Sequence, residues 1–298
     1  MNVGSLRLLA RSRSIDRRWI ALATVLMLAV PLVVRMPLPI IPFPATKSLK
    51  TAIDAVPENK LIIVAVDWDA ATKGECQPLT AAVIDYLLKT NKKFALFAFI
   101  PQGPELAQAL TEDLAAKYPG KEYGKDWVNW GYRPNAVNTL MAMMNDIPGT
   151  LKTDIRKRQL TDDPVTKLAP SLKDVGLLYH VSGTALFRTY LQFCAGVPLA
   201  NAVTAVMGPE MYPYLQSGQT KGLLVGLGGA APFEAVGEFK DKDGTMGGDG
   251  TTRMGSQSLG HLLVMVLIVL GNLGVWAQKR LTELGLEAPT VADEGDEQ

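Results

Sequence analysis

The sequence lacks an excess of charge of either sign. Its 298 residues contain 30 Lys and Arg against 29 Asp and Glu. A nucleic-acid-binding protein usually carries a clustered basic excess, so this balance excludes nucleic acid as the expected partner. A chain of this length can bury a sizeable core, in one large domain or two small ones.

Cysteine and histidine are scarce, with two residues of each. Cys76 and Cys194 both lie in the central part of the chain, where an oxidising compartment would allow a disulfide. Nothing in the sequence brings them within bonding reach, which favours two buried thiols. Because His180 is the only histidine in that part, a zinc site is not expected, and no cofactor is predicted.

Two apolar blocks without charge stand near the two ends of the chain, at residues 19–34 and 259–277. A helix of roughly 20 apolar residues crosses a hydrocarbon core of about 30 Å. The second block has that length, and the apolar segment 36–44 extends the first. Both blocks are therefore predicted to be transmembrane helices.

Each block has an alternative interpretation. The first could be a cleaved signal peptide, since a basic region precedes it, but no small-residue cleavage site follows. The adjacent Arg17 and Arg18 match a twin-arginine export signal only poorly. The second could be a buried core helix, although only His261 and Asn272 interrupt its apolar surface.

Positive charge lies on the terminal side of both blocks. The positive-inside rule therefore puts both termini in the cytoplasm and residues 36–258 outside it, in a two-span protein of the cell membrane. The cations that carry this prediction are Arg7, Arg11, Arg13, Arg17, Arg18, Lys279 and Arg280.

The predicted organisation follows from these two blocks and from composition between them. In chain order the parts are a basic cytoplasmic N-terminus (1–18), a transmembrane helix (19–36), a Pro-rich stalk with a short helix (37–58), an extracytoplasmic α/β domain (59–236), a flexible Gly- and Asp-rich tether (237–258), a second transmembrane helix (259–277) and an acidic cytoplasmic tail (278–298).

Short apolar strands alternate with amphipathic helices between residues 59 and 236. This rhythm predicts an α/β fold with a Rossmann-like, doubly wound, mostly parallel sheet, flanked by one transmembrane helix at each end. The segment 120–170 fits the rhythm least, with an aromatic, turn-rich run at 126–134 and a long charged stretch. An excursion of that length is predicted to be functional or to face a partner.

Ligands of open α/β sheets bind at the carboxyl ends of the strands. That rule selects residues that follow the predicted strands and that should converge on one edge. These candidate ligand-binding residues are Asp67, Asp69, Gln102, Gly103, Ser182, Gly183, Thr184 and Gly208, with Gly228 and Gly229 after the last strand.

The run VDWDAAT, with Asp67 and Asp69 at the end of a predicted strand, resembles the haloacid dehalogenase-type phosphatases. The resemblance implies that Asp67 is the nucleophile, Asp69 the acid/base and that a divalent metal is held nearby. It covers only these residues, and Thr72 comes one position later than the corresponding Thr or Val of that family. The alternative is that both carboxylates cap the strand end and a turn.

Other local motifs also have structural interpretations. Ser182, Gly183 and Thr184 could bind an anion at a helix start, but an ordinary N-cap is the favoured interpretation. The glycines at 226–229 lack the order of a dinucleotide site. The basic run 155–158 could grip anionic lipid, but the following acidic pair favours a solvated loop.

Two functional hypotheses follow. The first is a membrane-anchored binding or scaffolding protein of an envelope or transport-associated assembly, with the lipid bilayer, membrane or envelope proteins and a small molecule as partners. The second is a membrane-tethered, metal-dependent phosphatase or hydrolase that uses Asp67 and Asp69. The catalytic signals are the weaker of the two sets, so the first hypothesis is preferred.

Overall fold

The computed structural model describes residues 2–34, 40–240 and 247–286. The chain divides into two compact units, one of Leu38–Thr251 and one of Met1–Pro37 with Thr252–Gln298. Each unit is considered by itself below.

Six strands form one parallel sheet in the unit Leu38–Thr251, which gives it an α/β fold. The strand order is β3-β2-β1-β4-β5-β6. The first strand, β1, therefore lies in the middle of the sheet. The strands β2 and β3 follow on one side of it, and β4, β5 and β6 follow on the other side. The strands are β1 (Ile62–Asp67), β2 (Phe94–Ala98), β3 (Trp127–Tyr132), β4 (Leu177–Ser182), β5 (Leu199–Val203) and β6 (Leu223–Val225).

Side chains of the central strand alternate between two cores. Ile62, Val64 and Val66 belong to one buried cluster, whereas Ile63 and Ala65 belong to another. A strand whose side chains are buried on both faces carries a continuous β-branched apolar run, as the sequence predicts here.

Helices cover both faces of this sheet. The first cluster receives residues of α3 (Pro44–Asp54), α4 (Lys73–Lys89), α5 (Gly103–Ala115) and α10 (Gly226–Val236). The second receives residues of α6 (Ala136–Met143), α7 (Ile147–Leu151) and α8 (Leu186–Phe193). The helix α9 (Gly208–Gln216) packs beside β6 in a smaller cluster.

The aromatic run at 126–134 is an edge strand, β3, and not a turn-rich excursion. Trp127 stacks on Phe94 of β2 with ring centroids 6.2 Å apart, and Trp130 is fully buried. Asn129 and Gly131 make this strand hard to predict from the sequence, because both residue types are common in turns. The buried Asn129 amide instead donates to the Pro104 carbonyl at 2.9 Å.

Three boundaries differ from the predicted ones. The short helix of the expected stalk is α3, and its Leu49 and Ile53 are fully buried in the α/β unit. The last strand ends at Val225, because the following glycines belong to α10. The expected tether is helical from Asp249 onward, while its residues 241–246 lie outside the described residues.

The other unit contains α1 (Val3–Arg11), α2 (Arg17–Val34) and the part of α11 (Asp249–Glu283) that follows Thr251. The helices α2 and α11 are long and apolar enough to cross a membrane. Only 6% of the residues in the most apolar stretch of each are buried. The core helix of a soluble protein would be mostly buried, so this exposure argues against the core-helix interpretation of the second block.

The helices of this unit pack antiparallel. Ser256 near the start of α11 donates to the Leu28 carbonyl of α2 at 2.7 Å. At the opposite end Ser12 donates to the Leu270 carbonyl at 2.9 Å. Leu6 and Ala10 of α1 are buried against Ala277 and Leu281 of α11. The N-terminal residues and the end of α11 therefore lie at the same end of this unit.

Candidate functional site

Asp67, the residue on which the phosphatase hypothesis depends, is completely buried at the end of β1. The strand alternation turns its carboxylate toward the second core cluster. The Phe99 backbone N–H donates to Oδ1 at 2.5 Å, and the Tyr190 hydroxyl donates to Oδ2 at 2.8 Å. Both oxygens therefore already accept a hydrogen bond from a neighbouring element.

His180 of β4 completes this buried cluster. Its Nε2 lies 3.2 Å from the Asp67 Oδ2, but without the alignment of a hydrogen bond. Its ring centroid is 4.3 Å from that of Tyr190. Burial, together with the neighbouring Asp67 carboxylate, raises the pKa of Tyr190 well above its ordinary value. The phenol therefore stays protonated and remains a donor to Asp67.

This geometry suits a structural role for the two aspartates. A nucleophilic carboxylate must reach its substrate, whereas Asp67 is inaccessible and fully hydrogen-bonded. Asp69 accepts the Ala71 N–H at 3.0 Å, as a turn-forming Asp does. Among the described residues, no group of three or more His, Cys, Asp and Glu could hold a metal ion.

The loops that carry the other predicted site residues come together at the carboxyl edge and close it. Gln102 accepts the Ala70 N–H at 3.2 Å, which joins the loops after β1 and β2. Thr72 packs so tightly on Gly183 that an added Cβ would meet its methyl group at 2.4 Å. The loop after β1 therefore contacts the loop after β4 directly.

Of the remaining predicted residues, Gly103 and Gly208 start helices. The N-cap predicted at residues 182–184 is wrong, because the residue before α8 is Ala185, which makes no side-chain cap. Ser182 accepts the Thr184 N–H at 2.9 Å in a local turn before α8. Gly103 begins α5 so close to β1 that a Cβ would lie 2.0 Å from the Val66 carbonyl oxygen. Gly208 begins α9 against the Val225 side chain. These contacts explain the small residues by packing.

Glu75, which the sequence reasoning missed, ties a further loop to this edge. Its Oε2 accepts the Ala205 N–H at 2.8 Å, and so joins the start of α4 to the loop after β5. The spacing of Thr72 and Glu75 is typical of a capping box, although Thr72 makes no side-chain cap. The spacing predicts a hydrogen bond within the first turn of α4. The hydrogen bond that Glu75 accepts instead comes from Ala205, which is distant in sequence.

The two cysteines lie on opposite faces of the sheet. Cys76 belongs to the first core cluster and Cys194 to the second, so both remain free, buried thiols as predicted. Burial raises the pKa of each thiol to about 12. Neither is a reactive nucleophile at neutral pH.

Two of the three cations in the basic run 155–158, Arg156 and Arg158, form ion pairs at the domain surface. Arg156 bonds Glu112 at 2.8 Å, and Arg158 bonds Asp154 at 2.8 Å. Both guanidinium groups also lie over the Tyr123 ring, at 3.8 and 4.4 Å from its centroid. The charges of both arginines are thus balanced locally, which agrees with the interpretation as a solvated loop.

A second buried carboxylate, Glu234 in α10, holds the first turn of α11. Its two oxygens accept the backbone N–H groups of Gly248, Gly250 and Thr251 at 2.8 to 2.9 Å. The Thr251 hydroxyl also donates at 2.7 Å. Burial raises the pKa of Glu234, and the four donors act in the opposite direction. A carboxylate at a helix start also interacts favourably with the helix dipole.

An open groove of about 600 Å³ lies at the opposite, amino edge of the sheet, and we call it the α3 groove. The helix α3 crosses this edge because two glycines allow close approach. A Cβ on Gly222, before β6, would lie 2.4 Å from the Leu49 Cα, and one on Gly176, before β4, 2.5 Å from a Val56 methyl. The groove is lined by Lys47, Ser48, Thr51, Ala52, Ala55, Val56, Pro57, Gly176, Leu177, Pro198 and Lys221.

Comparison of the chain with protein-family models, with curated sequences and with solved structures finds no match. The function must therefore be argued from the two edges of the sheet and from the two apolar helices.

Proposed function

We propose that this protein is an integral membrane protein that presents an α/β binding or scaffolding domain outside the cytoplasm, in an envelope or transport-associated assembly. The observation that carries the proposal is the antiparallel pair of exposed apolar helices, α2 and α11. In water such surfaces would be costly, and in a bilayer they face hydrocarbon.

The distribution of cations supports an orientation with both termini in the cytoplasm. Because α2 and α11 are antiparallel, the arginines before α2 and the pair Lys279 and Arg280 lie at one end of the helical unit. The positive-inside rule assigns that end to the cytoplasm. The α/β domain connects to the opposite ends of both helices in the chain.

The strand order supports a Rossmann-like, doubly wound description of the domain. The order β3-β2-β1-β4-β5-β6, all parallel, reverses direction between β1 and β4, and helices contribute to cores on both faces. That order is the one found in dinucleotide-binding folds. The fold alone does not imply their chemistry, and here the loops close the usual ligand crevice.

Binding is preferred to catalysis because Asp67, the candidate nucleophile, is inaccessible while the α3 groove is open. Asp67 and His180 have no exposed surface. The groove has a volume within the usual range of about 300–1,000 Å³ for small-molecule sites. The α3 groove thus offers a surface for a ligand at the amino edge of the sheet.

Cysteine labelling of intact cells tests the orientation. Thr184 and Ser5 are exposed, and the native cysteines are buried, so the unmodified chain is the blank. We expect a membrane-impermeant maleimide to label Thr184→Cys in intact cells and Ser5→Cys only after permeabilisation. The reverse pattern, or release of the protein by carbonate, would contradict the proposal.

The choice between binding and catalysis needs a second experiment. We expect Asp67→Asn to change neither phosphate release from aryl phosphates, with or without magnesium, nor the set of membrane proteins that co-purify with the full chain. A magnesium-dependent activity that Asp67→Asn abolishes would instead establish the enzyme.

A further inference from the structure

The α3 groove follows the later part of α3 and the residues just after it. The helix α3 is packed at Leu49 against Gly222, and the chain is packed again at Val56, two residues after the end of α3, against Gly176. From Lys47 to Val56 the chain advances by about 14 Å if it rises 1.5 Å per residue. Lys47 and Lys221 stand near the Leu49 end, because each is close in sequence to a residue of the Leu49–Gly222 contact.

The lining has a cationic end and a remainder that is mostly apolar. Lys47 and Lys221 are exposed, and the lining contains neither Asp nor Glu. Lys47 makes no ion pair with another described residue, and among the described residues the Lys221 ammonium donates only to the Gly218 carbonyl, at 3.2 Å. The apolar lining residues are Ala52, Ala55, Val56, Pro57, Leu177 and Pro198.

The shape of the groove comes from small side chains on one side of α3. Leu49, Ile53 and Val56 face the core. Ser48, Thr51, Ala52 and Ala55 recur at helical spacing on another face and line the groove. These short side chains leave the space beside the helix that forms the groove. No aromatic residue lines it, so nothing there favours a flat ring.

We propose that the α3 groove binds a free medium-chain fatty acid, with its carboxylate at Lys47 and Lys221 and its acyl chain along Ala52, Ala55 and Leu177. Two cations match one carboxylate, and a mostly apolar groove beside about 14 Å of chain matches one short acyl chain. The inference names the ligand of the proposed binding domain and rests on that proposed function.

Photo-crosslinking of the full chain in phosphatidylcholine nanodiscs tests this inference. The probe is decanoic acid with a photoreactive diazirine in its chain, and mass spectrometry of the digested protein locates the adducts. We expect adducts on residues 51–57 and 176–177. The uncharged decanol analogue should label these peptides about fivefold less, because it forgoes two exposed ion pairs.

Matched variants separate the groove from general charge and bulk. Lys47→Ala with Lys221→Ala should reduce groove labelling about fivefold. Lys73→Ala with Lys167→Ala removes two other exposed lysines and should leave labelling unchanged. Ala52→Leu should block the groove, whereas Ala109→Leu on the exposed side of α5 should have no effect.

Several results would overturn the inference. Adducts confined to α2 and α11, equal groove labelling by the decanol analogue, or no effect of the lysine variants would each do so. Loss of groove labelling on addition of phosphatidylglycerol to the disc would make a bilayer lipid the occupant. Failure of the chain to enter nanodiscs would count against membrane anchoring, the proposed function, and is therefore distinguishable from absence of groove labelling.

Discussion

The two edges of the sheet are built differently although the same strands end at both. At the carboxyl edge, Asp67 is buried under hydrogen bonds, and the loops after β1, β2, β4 and β5 are joined by direct contacts. At the amino edge, α3 lies across the strand starts and leaves an open groove with two exposed lysines. Polar residues thus serve packing at the edge where ligands usually bind, and remain available at the other.

The largest expected effect follows from removing the buried carboxylate of the closed edge. Asp67→Ala leaves the Tyr190 hydroxyl and the Phe99 N–H without their acceptor, and should cost about 3 kcal/mol or more of unfolding free energy. The measurement is denaturant unfolding in nanodiscs, followed by the fluorescence of the buried Trp68, Trp127 and Trp130.

Two controls accompany this variant. Asp67→Asn keeps the shape and one acceptor oxygen, and should cost less than Asp67→Ala. Asp69→Ala removes a half-exposed turn bond and should cost about 1 kcal/mol or less. If Asp67→Ala were as stable as Asp69→Ala, the closed edge would not depend on the buried cluster.

The second prediction concerns the contact that forms the open edge. An added methyl group at Gly222 would meet the backbone of Leu49 at 2.4 to 2.8 Å, so Gly222→Ala should cost about 1–3 kcal/mol. It should also increase hydrogen exchange in α3 and abolish groove labelling.

Gly74→Ala is the matched control for Gly222→Ala, because nothing lies within 4 Å of an added Cβ in the first turn of α4. Its stability should be unchanged or slightly higher. Equal behaviour of the two variants would show that α3 is not held by close approach at Gly222.

Sequence reasoning anticipated the general plan of the domain better than the state of either edge. Continuous β-branched runs identify β1 and β2, and parallel order brings their carboxyl ends together. The edge strand β3 was missed because Asn129 and Gly131 are turn residues by propensity, and tertiary packing overrides that preference.

Closure of one edge and opening of the other could not be predicted, because both depend on contacts between distant segments. The hydrogen bond from the Ala205 N–H to Glu75 and the packing of Thr72 on Gly183 correspond to no local pattern in the sequence. The groove likewise joins residues near 50, 177, 198 and 221. The helical spacing of Leu49 and Ile53 predicts a helix at α3. It does not predict that this helix packs across the amino edge of the sheet.

A third prediction compares Glu234 with Asp67 as a buried carboxylate. The pKa of Glu234 is raised above its ordinary value of 4.5 by burial. The folded protein therefore holds more protons than the unfolded chain between the two pKa values, so the stability contribution of this group falls as the pH rises from about 4.5 through the folded-state pKa.

Glu234→Gln removes this titrating group. The stability of the variant should therefore fall less steeply with rising pH than that of the unmodified protein. Thermal unfolding of the full chain in nanodiscs at a series of pH values measures it. Glu105→Gln, at an exposed position of α5, should keep the slope of the unmodified protein. An unchanged slope in Glu234→Gln would assign the pH dependence to other groups.

The smallest expected effect on stability is at the open edge itself. Lys47→Ala with Lys221→Ala removes two exposed charges that form no described ion pair, and should change the unfolding free energy by less than about 0.5 kcal/mol. Lys93→Ala is the contrasting variant, because Lys93 bonds the mostly buried Asp126 at 2.8 Å, and its loss should cost more. If the groove variant were the less stable of the two, Lys47 and Lys221 would be part of the scaffold. Stability retained together with lost labelling would instead assign both lysines to the ligand.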